Sequence, residues 1–330
     1  MVLPKRATYC CRYLCTVPLR YLRHSEIDML AWQACLARAE QPVPYAQALW
    51  LDVTNDPTWE AVVEPDGNGG YASVFPVPVR RRLWGAECLQ PPFTQQLGLL
   101  TTSASQHRQL QGYLQLLAKR FARLHLQLNT DNSSPSSLPV GWRLANRTTY
   151  HLGLADDYST LLRSYTPEFR RRLRQHQEQG VPLRVVAGKS AAPLIALFRS
   201  YKPNRQTHLR EEHFVRLQRL VTALGSQAEI LEVYHPSNGE LLAGALFVHS
   251  RQRITYLFAA ASEAGKKQHA PMLLLNEVIR RHAGTPNLLL DFEGGSIPSI
   301  ARFFANFGAR PVPYYSLTQT TRPWYLTWMR

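Results

Sequence analysis

The apolar positions in the second half of the chain fall into two alternating kinds of pattern. Residues 148–154, 183–187, 229–234, 241–249, 253–260, 287–291 and 312–317 form short, strand-like apolar runs. Pro236-Ser-Asn-Gly239 supplies a turn between the third and fourth. Between these runs the spacing changes to that of a helix. Tyr158, Leu161, Leu162, Tyr165, Phe169 and Leu173 form one stripe, predicting a helix over 158–179 stopped by Gly180. Further helices are predicted over 191–201, 211–224, 271–281 and 297–307. The order is β-α-β-α-α-β-β-β-α-β-α-β.

The first half repeats this order more loosely, as a diverged duplication would. A strand over 18–23 precedes a helix over 26–39, to which Ser25 and Asp28 offer a capping box. A helix around 45–53 follows. Then comes a hairpin of 59–63 with 71–79 about the turn Asp66-Gly-Asn-Gly-Gly70. Strands over 83–89 and 96–100, a helix over 106–121 and a strand over 123–129 complete this half. The Asn/Ser/Pro-rich loop 129–139 marks a boundary. The expected architecture is α/β: two domains, each with a mixed sheet, meeting near 131–147. The divisions are an N-terminal extension 1–17, a first domain 18–146, a better-defined second domain 147–320 and an aromatic tail 321–330. Trp324, Tyr325 and Trp328 are expected to bring that tail back onto the first domain.

One stretch carries chemistry as well as fold. At 288–291 an apolar strand ends in Asp291, and Glu293, Gly294 and Gly295 follow before a helix that Ser296 can cap and Gly308 can close. Strand ends that open into glycine turns let backbone approach a ligand closely. By two-residue alternation Asp291 and Glu293 face the same way, which suits shared proton work or a grip on an ammonium group. A carboxylate beside a helix N-terminus can equally be a partner for its amides.

Composition narrows the partners. The chain of 330 residues has a formal net charge of +15, and its 45% apolar content is that of a folded protein. Residues 1–150 carry 15 Lys+Arg against 10 Asp+Glu, residues 151–330 carry 23 against 13, so the second half is the more basic. An anionic partner fits this balance: a phosphorylated donor, RNA or an acidic membrane surface. Cys10, Cys11, Cys15, Cys35 and Cys88 lack disulfide or zinc spacing and read as reduced, cytoplasmic thiols, and no metal site is expected. No run approaches the roughly 20 apolar residues of a membrane span, which leaves only peripheral membrane contact.

Several of these segments resemble the GNAT acyltransferase superfamily, in particular its double-domain Fem-type aminoacyl transferase and BioF2-like acetyltransferase branch. The resemblance rests on the basic helix 168–180, the central strand 241–248, and the strand-to-helix stretch from Tyr256 through Lys266, Lys267 and 271–278. Asp291-Phe-Glu-Gly-Gly295 and the Phe-rich helix 303–308 complete it. It covers 145–317 well. Over 18–130 it is looser, through Trp32, Tyr45, Trp50-Leu-Asp52 and 90–98.

The resemblance implies transfer of an acyl or aminoacyl group from an activated donor, acyl-CoA or aminoacyl-tRNA, to an amine on a small molecule or cell-envelope precursor. It implies catalytic roles for Asp291, Glu293 and Tyr256, donor binding by Lys266, Lys267, Gln268 and His269, and a substrate cleft at Gly294, Gly295 and Arg302. Each has a plainer reading: solvated loop cations at 266–269, and a strand tyrosine that packs. The stretch 267–273 lacks the paired glycines with which acyl-CoA-binding members hold pyrophosphate, so side-chain cations would have to replace them. The helix after Gly295 also lacks the lysine common in Fem-type enzymes. A binding protein that keeps the fold without donor handling is the alternative.

Overall fold

The computed structural model describes residues 17–41, 43–55, 59–118, 120–178, 182–201 and 209–320. The N-terminal extension through residue 16, the stop at Gly180 and the aromatic tail lie outside them. The first half contributes β1 (Arg20–Leu22), α1 (Met29–Arg38), α2 (Ala48–Asn55), β2 (Glu60–Pro65), β3 (Tyr71–Val77), β4 (Val79–Arg82), β5 (Gly85–Leu89), β6 (Leu100–Thr101), α3 (Leu110–Leu117) and β7 (Arg123–Gln127). In the second half β8 (Trp142–Gly153), α4 (Tyr158–Ser164), α5 (Pro167–Gln177), β9 (Val185–Ala187), α6 (Ala192–Tyr201) and α7 (Glu211–Leu224) come first. They are followed by β10 (Ala228–Tyr234), β11 (Leu241–Ser250), β12 (Arg253–Ala261), α8 (Glu263–Lys267), α9 (Ala270–His282), β13 (Leu289–Asp291), α10 (Pro298–Ala305) and β14 (Arg310–Thr320).

The fold is mixed α/β, but its strands do not divide into one sheet per half. Four form a small sheet, β1-β2-β3-β6, and ten form a continuous one, β4-β5-β7-β14-β8-β13-β12-β11-β10-β9. The C-terminal strand β14 makes the join. It runs antiparallel to β7 of the first half (Leu317 opposite Leu126) and to β8 of the second (Tyr314 opposite Arg147). One apolar core also crosses between halves, packing Trp32, Trp50 and Trp59 with Phe198, Phe214 and Phe258.

Local chemistry explains where the elements depart from expectation. The helix expected over 158–179 is two helices, because Thr166 before Pro167 is extended (ψ 150°) and Pro167 starts α5. The first helix starts later than expected: Asp28 is its N-cap, accepting from the Leu30 and Ala31 amides, and Ser25 lies in a separate 3₁₀ turn. Ile297, not Ser296, is the N-cap of α10, with no side-chain cap bond. Gly308 does close that segment, at φ 80°.

Two features position the site. Parallel pairing between β12 and β13 covers only Arg253–Leu289, Ile254–Leu290 and Thr255–Asp291, after which β13 ends while β12 continues to Ala261. The two strands therefore open into a split just beyond Asp291. Beside it, α8 lies so close on β11 that a Cβ on Gly265 would stand 2.0 Å from the Leu242 carbonyl oxygen. Backbone on both sides leaves little room to yield. Gly265→Ala is expected to destabilise the protein by about 1–3 kcal/mol in chemical denaturation, as overpacking does. An unchanged midpoint would show that α8 shifts freely.

Candidate active site

Asp291 is fully buried at the end of β13. Its Oδ1 accepts hydrogen bonds from Thr149 Oγ1 at 2.7 Å and from the Glu293 amide at 3.0 Å. Its Oδ2 accepts from Arg253 Nη1 at 2.8 Å, and His151 Nε2 stands 3.5 Å away. The Arg253 side chain is itself only 3% exposed. Burial alone would raise the carboxyl pKa, but His151, Arg253 and Thr149 together outweigh it and hold the group below its ordinary range. Asp291 is thus a paired, interior anion with four partners, and one of them is the backbone of the turn that follows.

That turn is built for close approach. Glu293, Gly294 and Gly295 have φ of 44°, 140° and 152°. A Cβ on Gly295 would sit 2.9 Å from both the Thr148 carbonyl oxygen and the Tyr150 ring, so only glycine lets the turn lie against β8. The left-handed Glu293 ends the strand alternation, so the two carboxylates do not share a face by strand period as the sequence pattern predicts. Each has its own surroundings. Glu293 Oε1 accepts a hydrogen bond from the hydroxyl of Tyr45, a buried residue of the first half whose ring packs edge-on against Trp50 at 5.2 Å. Trp50 Nε1 in turn donates to Thr94 Oγ1 at 3.0 Å. Burial pushes the Glu293 carboxyl well above its ordinary range. One carboxyl is held anionic and its neighbour two residues on is biased toward the protonated form, a separation suited to proton transfer.

Tyr256 lies further along β12, one residue beyond the last position paired with β13 and opposite Phe247 of β11. Its ring packs on Phe247 (5.4 Å) and edge-on against Phe304 (6.1 Å), which also covers Phe292, the residue between the two carboxylates. Burial raises the Tyr256 hydroxyl. The ring also lines a cavity of about 430 Å³ with Gly244, Ala260, Lys266 and Pro271.

The residues of 266–269 are spread around the start of α9. Lys266 is held by Glu263 at 2.5 Å, while Lys267 and Gln268 are exposed. His269 is left-handed at φ 58°, and its Nδ1 lies 3.3 Å from Nη1 of Arg172 on the basic helix α5. Burial and then the Arg172 charge lower its pKa. The Met272 and Leu273 amides bond to the His269 carbonyl at 3.0 and 3.4 Å, and Pro271 has no amide. This first turn therefore offers an anion few free N–H groups. Arg302 is exposed on α10.

The sequence pattern alone leaves out Arg253, Thr149, His151 and the role of Tyr45. A charged residue opening the mainly apolar run Arg253-Ile-Thr-Tyr-Leu-Phe258 is the available signal for a buried ion pair.

Residues 163–296 match the sequence family described as acetyltransferase (GNAT) domain. The stretch runs from the end of α4 to just past the Gly294-Gly295 turn. The described residues share the tandem GNAT fold of their structural neighbours. The chain superposes on FemX with a TM-score of 0.59 at 12% identity, covering 90% of this chain and 96% of that one. A conserved protein of unknown function from Bacteroides thetaiotaomicron superposes at 0.56 with 10% identity, covering 92% and 100%. L-PGS from Bacillus licheniformis superposes at 0.51 with 11% identity, covering 91% and 94%. At such identities the likeness is one of fold. No curated protein matches the chain in sequence.

Proposed function

We propose that this chain is an N-acyltransferase in which Glu293 handles the amine proton. The amine attacks the carbonyl carbon of an activated donor and a C–N bond forms. The bond to the donor's thiolate or hydroxyl leaving group breaks, and the amine's proton passes to the Glu293 carboxylate. The observation that carries this reading is the placement of Glu293: a carboxyl with a raised pKa, at the open end of the β12–β13 split in a GNAT domain, held by Tyr45 from the other half. Residues 18–146 and 147–320 act as two domains contributing to one cleft. Asp291 is a positioning residue, fixing the Glu293 amide from below. Tyr256 is the candidate proton donor to the leaving group. The acceptor is an amine on a small molecule or cell-envelope precursor.

The start of α9 bears on how either donor would be held. A CoA pyrophosphate cradled by backbone amides does not fit a turn whose amides already bond to His269 and whose Pro271 has none. Lys267 and Arg172, the latter paired with Glu168, supply the side-chain cations beside the His269 ring, a grip suited to the phosphates of an aminoacyl-tRNA as well as to a nucleotide. Thermal shift with acetyl-CoA, longer acyl-CoAs and aminoacyl-tRNA separates the donors. Stabilisation by at least one of them is the expected result: by acyl-CoA for an acyl-CoA donor, by the tRNA alone for an aminoacyl donor, whereas none from either would favour a fold retained for binding only. With the donor that stabilises, Arg172→Ala combined with Lys267→Ala is expected to weaken binding by roughly ten- to a hundred-fold. That binding should also fall steeply as salt rises. Salt-insensitive binding in the double variant would place the phosphates elsewhere.

A further inference from the structure

A second cluster of titratable groups lies away from the carboxylate turn, where the end of α9 meets the β10–β11 pair. Glu229 is on β10, His249 is near the end of β11 and His282 is the last residue of α9. His249 Nε2 lies 2.9 Å from Glu229 Oε2, and the two imidazole rings have centroids 5.2 Å apart. One ligand atom from each residue falls within 4.8 Å of the other two. The acyl-transfer reading uses none of these three side chains.

We propose that Glu229, His249 and His282 form a binding site for a divalent transition metal ion, zinc in the first place. Two imidazoles and one carboxylate are a borderline donor set that suits zinc rather than magnesium or calcium, which take oxygen ligands. Around a tetrahedral zinc with bonds of about 2.0–2.2 Å, ligand atoms sit roughly 3.3 Å apart, so small side-chain rotations close the set. The His249–Glu229 hydrogen bond occupies the place where the metal would bind.

The surroundings prepare the ligands. Arg281 Nη1 donates to the other Glu229 oxygen, Oε1, at 2.8 Å, and Arg281 Nε is held by Glu277 at 2.7 Å. This chain fixes the carboxylate and leaves Oε2 toward the histidines, the kind of outer support that metal-binding carboxylates have. The nearby charges offset one another, because Glu277 also pairs with Arg280. His282 closes the C-terminal end of α9, where the helix dipole favours a cation. His249 and Glu229 side chains are 28% and 24% exposed, so an ion can enter from solvent. A bound ion would tie the end of α9 to the sheet and leave one coordination position for water.

The test uses the full chain stripped with chelator and titrated with Zn²⁺ and Co²⁺. The expected result is one equivalent whose binding raises the melting temperature in proportion to the logarithm of metal concentration. Its cobalt form should absorb in the visible without the near-ultraviolet band of thiolate ligation. His282→Asn and His249→Gln should each abolish that equivalent and its thermal shift. Should His249→Gln fail to fold, His282→Asn at the helix end, with its fold checked by circular dichroism, decides alone. An unchanged stoichiometry in His282→Asn overturns the proposal, as does a thiolate band, which would assign the metal to cysteines.

Discussion

Asp291→Ala is expected to destabilise the protein by about 3–5 kcal/mol, because it leaves the nearly inaccessible Arg253 guanidinium without its counter-charge. The same change frees the Glu293 amide and Thr149 hydroxyl from their shared acceptor. Replacing both partners by apolar residues of similar volume, Asp291→Leu with Arg253→Met, should recover much of the loss, since the cost lies in the unpaired charge. The pH dependence has a definite sign. The folded-state pKa of Asp291 lies below its unfolded value, so its contribution is present above the unfolded carboxyl pKa. It is lost as pH falls through the folded one. Denaturation curves from neutral to acid pH should therefore be flatter in Asp291→Ala than in the wild type. A single variant as stable as the wild type would mean that the ion pair is not what holds the turn.

Much of this second-half fold is legible in the chain because its elements obey local rules. Helix α7 falls at Glu211–Leu224 as its apolar stripe predicts, and β10, β11 and β12 end within a residue or so of their patterns. The misses have physical causes. Pro167 breaks a stripe that is continuous by periodicity, since Phe169 and Leu173 continue the burial begun by Leu161 on a new axis. The single ten-stranded sheet cannot be read locally, because the pairing of β14 with β7 joins residues nearly two hundred positions apart. The candidate site shows the same division. Asp291, Glu293 and the two glycines stand out as a strand end and turn, whereas their partners Tyr45, Thr149 and Arg253 come from remote segments with no shared period. The alternation that placed both carboxylates on one face stops short of Glu293, because β13 ends at Asp291 and the Glu293 backbone is left-handed.

Glu293 is the residue whose replacement should affect activity most. Glu293→Gln keeps the size of the side chain and an acceptor for Tyr45 but cannot take a proton. It is expected to slow transfer by about 10²–10⁴-fold, the usual worth of a general base. Stability should respond in the opposite sense to Asp291. A carboxyl whose folded pKa is raised weakens the fold as pH rises from its unfolded value toward the folded one. The glutamine variant should thus be as stable as the wild type in acid and no less stable above it. A residue of purely structural value would show the reverse, lost stability together with lost activity.

The most direct test is the pH–rate profile of transfer to an amine, from whichever donor stabilises the protein, in the wild type and in Glu293→Gln, with donor affinity measured alongside. The wild-type rate is expected to rise with pH along a limb displaced above the ordinary carboxyl range, as burial of Glu293 requires. In the variant that limb should vanish and the rate fall by about 10²–10⁴-fold while donor affinity stays the same. Equal rates and profiles in the two proteins, or a loss of rate that only follows a loss of donor binding, would contradict the assignment of Glu293 as the proton acceptor.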